Sequence, residues 1–237
     1  SYGVKRRYLL GHQLDSVMNY PFKQAIIDYI KGGEPHNFIN SVMTILENYP
    51  KPMADVLMNF VSTHDIERAI NNFGGEYCGD KSKDWMAERY LTAEEYGKGK
   101  NMLKAAMALM YFIVGVPSIY YGDEAGMQGG GDPFNRCFYP WENEDKELLS
   151  WYQKLGEIRN SLSCLKDGDF VPYSAMLSCV AYKRVTDDEQ IFVIVNRNPH
   201  EIDYYLPDEF KYKTELISSS QVSDFVKISA NSAVIIK

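Results

Sequence analysis

Apolar positions along the first two thirds of the chain switch repeatedly between a strand-like and a helix-like period. Residues 14–20, LDSVMNY, alternate as a short strand does, and Pro21 sits where a helix takes its first residue. Phe22, Ala25, Ile26, Tyr29 and Ile30 then share one helical face until Gly32-Gly33 stops it. Asn37 is placed to cap a second helix with Phe38, Val42, Ile45, Leu46 and Tyr49 inward, ending before Pro50 and Pro52. A strand is expected at about 57–61, breaking into Ser62-Thr63-His64-Asp65. Ile66, Ile70 and Phe73 predict a helical turn closed by Gly74-Gly75, and residues 76–91 read as an irregular excursion. Thr92 with Glu95 forms a capping box for a long helix carrying Tyr96, Leu103, Met107, Met110 and Val114 on one face. The run 116–121 is too short for a helix and rich in β-branched and aromatic residues, which predicts a third strand. A Gly-rich, charged loop to Trp141 follows, then a helix over about 146–160 with Leu148, Tyr152, Leu155 and Ile158 inward.

Strand alternating with helix implies an α/β fold with parallel strands and helical crossovers. From about Leu165 the pattern changes to seven short strand-like runs: DFVPY, LSCVAYKRV, QIFVIVNR, IDYYL, KTELI, FVKIS and AVIIK. Turns such as Thr186-Asp187-Asp188 and Asn196-Arg197-Asn198-Pro199 separate them, as in a small antiparallel β-sandwich. The expected domains are therefore 1–163 and 164–237. Three β-α units do not close a barrel, whose common form has eight, so an N-terminal part is expected upstream.

Composition narrows the function. A net charge of −7 lacks the basic footprint that nucleic acid requires, so no nucleic-acid partner is expected. No apolar stretch of about 18 residues occurs, so no membrane span is expected, and the basic start SYGVKRRYLLGH lacks the apolar core of a signal peptide. The 18 tyrosines suit stacking on sugar rings and a β-rich core equally. Cys78, Cys137, Cys164 and Cys179 are widely spaced without a CxxC pair, which predicts neither a metal cluster nor a disulfide framework. No residue is expected to ligate a metal, since His12, His36, His64 and His200 show no paired spacing such as HxxxH.

Candidate chemistry concentrates in two stretches. His64 and Asp65 end a buried strand, where polar residues serve function more often than packing, or they cap the helix that follows. Asp132 and Arg136 suit charge-assisted hydrogen bonds to hydroxyls, or pair with each other to fix their loop. Gly122-Asp123-Glu124 reads as a structural turn, because adjacent carboxylates usually point apart. Arg68 reads as solvated, the alternative being that it orients Asp65. The glycine run lacks the Lys-Ser/Thr ending of a phosphate loop.

Three stretches, LDSVMNYPF at 14–22, FVSTHDIER at 60–68 and GVPSIYYGDEAGMQGGGDPFNRCFYPW at 115–141, together resemble the C-terminal part of an α-amylase superfamily glycoside hydrolase. The neopullulanase and cyclomaltodextrinase branch is the most similar. The resemblance covers nearly the whole chain and implies strands six to eight of a (β/α)8 TIM barrel, followed by the family's β-rich C-terminal domain. It implies that Asp65 stabilises the transition state, that His64 hydrogen-bonds sugar hydroxyls at the cleavage subsite, and that Asp132 and Arg136 contact sugars further along. The partner it implies is an α-glucan oligosaccharide or polysaccharide cleaved at α-1,4 and perhaps α-1,6 links.

The family's nucleophilic Asp, in a GxRxD motif on the fourth strand, and its acid-base Glu on the fifth have no counterpart in these residues. Retaining hydrolysis needs two such carboxyls about 5–5.5 Å apart, so the chain alone is expected to be inactive and to need the missing N-terminal half of the barrel. Asp15 and Asp55 lie in unrelated motifs and are not substitutes. No cofactor is called for; calcium occurs in some relatives and is left open, as is a homo-oligomer. Cysteine usage and branch resemblance point to the cytoplasm. The rival readings are a noncatalytic carbohydrate-binding or assembly module and a His-Asp metal hydrolase.

Overall fold

The computed structural model describes Tyr8 and residues 13–237; most of the basic start, with His12, lies outside them. Three chain segments run parallel, side by side. Met18 bridges Met58, and β1 (Met58–Asn59) pairs with β2 (Val116–Pro117). Backbone bonds tie them, from Asn19 N to Met58 O (2.9 Å) on one side and from Ser118 N to Asn59 O (2.7 Å) on the other. Buried asparagines repeat the link, since Asn19 Nδ2 donates to Asn59 Oδ1 (2.9 Å) and Asn59 Nδ2 donates to Val114 O (2.8 Å). Such side chains are tolerated inside only because each is bonded.

Helices connect the segments. α1 (Tyr20–Ile30) is capped by Asn19 Oδ1, which accepts from Phe22 N, and it packs on α2 (Pro35–Asn48). After the short α3 (Lys51–Ala54) and β1, the chain forms α4 (Ala69–Gly74), α5 (Lys83–Glu88) and the long α6 (Ala93–Phe112). The expected capping box of Thr92 and Glu95 opens α6, whose residues from Leu103 onward are nearly all buried. Gly74 and Gly99 let α4 and α6 come close, since a Cβ on Gly99 would lie 3.2 Å from the Gly74 Cα. After β2, α7 (Lys146–Ser161) starts at Asp145, whose side chain accepts from Glu147 N and Leu148 N.

Beyond α8 (Cys164–Asp167) lie β3 (Asp169–Met176), β4 (Cys179–Val185), β5 (Gln190–Asn196), β6 (Ile202–Tyr205), β7 (Thr214–Glu215), β8 (Ser220–Gln221), β9 (Phe225–Ile228) and β10 (Ser232–Ile236). All seven predicted runs carry a strand, and β8 is additional. Six strands form one antiparallel sheet in the order β3-β4-β5-β10-β7-β8, while β6 pairs with β9. β5 is buried along nearly its whole length because both its faces are covered. Val193, Val195 and Ile235 join the helical core, whereas Phe192, Ile194 and Ile236 enclose a second cluster with Phe210 and Ile228. The helical core thus runs without a break into one face of the sheet. Tyr29 spans the join, its hydroxyl donating to Ser178 O (3.0 Å) and Val195 O (2.9 Å).

Several local expectations change. The run 14–20 contributes a single bridge, because only one side of it has a strand partner among the described residues. Helix α2 starts at Pro35 rather than after Asn37: proline's fixed φ suits the first helical position, and Asn37 N already bonds Glu34 O (3.0 Å). The excursion 76–91 contains α5, capped by Ser82. The strand expected over 57–61 is only Met58–Asn59, and that over 116–121 only Val116–Pro117, before turns begin at Tyr121. Among the described residues no helix is long and apolar enough to cross a membrane.

Glu189 ties the C-terminus to α8. Burial pushes its carboxyl up, but bonds from Lys237 Nζ, Cys164 N and Ser163 Oγ outweigh this and hold it near 2. A depressed value stabilises the fold above the ordinary carboxyl range and is lost as pH falls from about 4.5 towards 2. Glu189→Gln should therefore cost roughly 1–2 kcal/mol at pH 7, less than the full shift because Lys237 is half exposed, with the deficit shrinking below pH 4.5. Urea unfolding of both proteins across this range checks it; a constant deficit would contradict the assignment.

Candidate active site

Because β1 and β2 are parallel, the loops leaving them emerge at the same edge, which is where barrel enzymes gather reactive side chains. The loop after β1 carries His64 and Asp65. The loop after β2 carries Asp132 and Arg136. All four predicted site residues meet there. His64 Nε2 lies 3.1 Å from Asp65 Oδ1, Arg136 Nη2 lies 3.9 Å from the same oxygen, and Arg136 Nε lies 2.8 Å from Asp132 Oδ1. The side chains of His64 and Asp65 are each 60% exposed, and those of Asp132 and Arg136 are about half exposed. Asp65 and Gly131 stand at the side of a groove of about 870 Å³ that α1 borders with Lys23, Asp28 and Lys31.

His64 and Asp65 do not cap a helix: α4 begins only at Ala69, with Arg68 before it. Instead they occupy a turn in which Asp65 N donates to Thr63 Oγ1 (3.2 Å) and Ile66 N to Thr63 O (3.4 Å). The ion pair foreseen between Asp132 and Arg136 is formed, and Arg136 Nε also donates to His64 O (3.2 Å). One cation thus touches both loops.

Arg68 is the largest departure from expectation. Rather than being solvated, it is 0% exposed. Its Nη1 bonds Tyr121 O and lies 3.2 Å from Asp123 Oδ1, its Nε donates to Asn135 O (2.9 Å), and its backbone N donates to Gly129 O (3.0 Å). The guanidinium lies over the rings of Tyr120 and Tyr121, 4.1 and 4.8 Å from their centroids. Asp123 also accepts from Ser62 Oγ, and burial pushes its carboxyl up, to about 6, against the pull of Ser62 and Arg68. Glu124 has a different partner and accepts from Gly122 N (2.8 Å), so the two adjacent carboxylates do not act on one group.

Ser62, in the polar stretch named above, is buried, as are Asn71 and Asn135, which no sequence pattern singled out. Asn135 Nδ2 donates to Ile66 O (2.6 Å) and Thr63 O (3.2 Å), and Asn71 Oδ1 accepts from Gly129 N (2.8 Å). The position of Asn135 inside DPFNR was the available signal; what it bonds lies about seventy residues earlier. Among the described residues no cluster of three or more His, Cys, Asp or Glu is arranged to hold a metal ion.

Residues 2–145 match the family model described as alpha amylase, catalytic domain. The chain belongs to the alpha-amylase family. Among its curated relatives, an amylopullulanase from Thermoanaerobacter thermohydrosulfuricus is 39% identical over 173 residues, covering 68% of this chain and 11% of that protein. A cyclomaltodextrinase from Thermoanaerobacter pseudethanolicus is 29% identical over 97% of this chain and 37% of its own length. The crystal structure of a debranching enzyme from Nostoc punctiforme superposes with a TM-score of 0.79 at 20% identity, over 100% of this chain and 50% of that one. This alpha-amylase family chain therefore has the fold of the TIM-barrel glycosidases and spans about half the length of that solved relative, and a smaller share of the two curated ones.

Removing one member of the Arg68-Asp123 pair leaves a buried charge without its partner, which typically costs about 3–5 kcal/mol. Arg68→Met and Asp123→Leu should each destabilise by roughly that amount, and the double variant by clearly less than their sum. Denaturant unfolding of the four proteins tests this, and additive losses would show that the two groups are not coupled.

Proposed function

We propose that this chain forms strands six to eight of a (β/α)8 barrel, over residues 1–163, and the C-terminal β-sandwich domain, over 164–237, of a retaining glycoside hydrolase acting on α-glucans. The observation that carries this is the meeting of Asp65, His64, Asp132 and Arg136 at the edge where two parallel segments end. Relatives named amylopullulanase, cyclomaltodextrinase and neopullulanase support the substrate class.

Glycoside cleavage passes through an oxocarbenium-like state, in which the sugar ring flattens and hydrogen bonds to neighbouring hydroxyls strengthen. Asp65 presents an exposed carboxylate to grip such hydroxyls, and His64 beside it supplies a donor. His64 and Arg136 both lie against one Asp65 oxygen, Oδ1. Asp132 and Arg136 offer an acceptor and a cation to hydroxyls further along the glucan. The attacking carboxylate and the proton donor come from earlier barrel strands, so bond cleavage requires that portion of the enzyme.

The purified chain, assayed on maltooligosaccharides, cyclodextrin and pullulan, should show no turnover until the upstream half of the barrel is supplied; turnover by the chain alone would refute the division of labour. In the complete enzyme, Asp65→Asn should lower kcat by about a hundredfold or more with little change in Tm. A near-normal rate would remove Asp65 from the chemistry.

A further inference from the structure

The loop bearing Asp65 has little to hold it from within. It leaves β1 at Asn59 and reaches helix only at Ala69. Its own turn is closed by one long backbone bond, Ile66 N to Thr63 O at 3.4 Å. The ion pairs of Asp65 with His64 and Arg136 are exposed, and exposed pairs restrain a side chain weakly. A group that must meet a transition state needs firmer support, since a misplacement of about 1 Å can cost a hundredfold in rate.

That support comes from the other loop. The single nitrogen Nδ2 of Asn135 donates to the carbonyls of Ile66 (2.6 Å) and Thr63 (3.2 Å), which flank the His64-Asp65 pair on both sides. The next residue, Arg136, takes the carbonyl of His64 between them. Asn135 is held in turn, because its backbone carbonyl accepts from Arg68 Nε at 2.9 Å. It is 0% exposed, so it reaches no ligand directly. Among the described residues its Oδ1 is buried without a hydrogen-bond partner, so the amide acts there through its nitrogen.

We propose that Asn135 is a positioning residue for Asp65: one buried amide nitrogen, clamped between two carbonyls of the Asp65 turn, sets the height and direction of that carboxylate. This rests on the role given to Asp65 above. Arg68 acts one step further back, fixing Asn135 to the buried end of α4. The arrangement makes the turn of one strand's loop a dependent of the next strand's loop.

Two readouts separate this from general stability. In the isolated chain, Asn135→Ala should speed amide hydrogen exchange at Asp65 and Ile66 by about tenfold or more, because the turn then opens independently of the rest. Asn71→Ala removes a bond of similar kind to Gly129, elsewhere in the same loop, and should leave those two amides unchanged. In the complete enzyme, Asn135→Ala should lower kcat about 10- to 100-fold with KM nearly unchanged, whereas Asn71→Ala should lower Tm without a matching loss of kcat. If Asn135→Ala does not fold, Asn135→Ser, whose hydroxyl can reach one carbonyl, should give intermediate values of both. Unchanged exchange at Asp65 and Ile66, or equal kcat losses in the Asn135 and Asn71 variants, would overturn the proposal. Normal turnover by Asp65→Asn would instead overturn the role of Asp65, while the exchange result still reports on the clamp.

Discussion

A buried guanidinium organises the rim of this molecule. Taking a charged side chain out of water costs several kcal/mol, and the cost is met only where its donors find acceptors. Arg68 meets most of that demand by drawing in acceptors from across the loop after β2: its Nε and Nη1 take the carboxylate of Asp123 and the carbonyls of Tyr121 and Asn135, and its backbone N–H takes the carbonyl of Gly129, while Nη2 has no hydrogen-bond partner among the described residues. The rings of Tyr120 and Tyr121 cover its faces. A loop of more than twenty residues with five glycines would otherwise have little reason to adopt one conformation. The need to satisfy one cation gives it that reason.

The consequences extend outward in layers. Ser62, three residues past β1, bonds the same carboxylate that pairs with Arg68, so the two loops are locked together. Asn135 hangs from Arg68 by its carbonyl and holds the Thr63–Ile66 turn with its amide. In the outermost layer the side chains of His64, Asp65, Asp132 and Arg136 are exposed to solvent. Charge is thus divided between a buried pair that carries structure and an exposed cluster that is free to meet a polar ligand. Beneath both, the continuous apolar core from α1, α2 and α6 into the β-sheet gives the parallel segments a rigid base.

Much of this was legible in the chain. The helices over α1, α6 and α7 follow from periodic apolar residues, which are local facts, and the capping box of Thr92 and Glu95 is formed as written. The seven strand-like runs after Leu165 each carry a strand because alternation and turn residues act over a few positions. The parallel strands were read too long, at 14–20, 57–61 and 116–121, since strand length depends on partners that a local pattern does not contain. Pro117, without an N–H to offer, contributes to the early end of the last one.

The sequence by itself determined which residues bear the candidate chemistry, because His64-Asp65 and the Asp132-Arg136 loop are contiguous motifs whose residue types and spacing survive without coordinates. Whether an arginine faces water or the interior is not such a property. Arg68 belongs to a short polar stretch that reads as solvated, and its counter-ion lies 55 residues away, beyond a long helix and a strand. Only when those elements place the two loops at one edge do Arg68, Asp123 and Asn135 find one another. Tertiary structure decided the support of the site because burial and long-range pairing are properties of the assembled fold rather than of any segment.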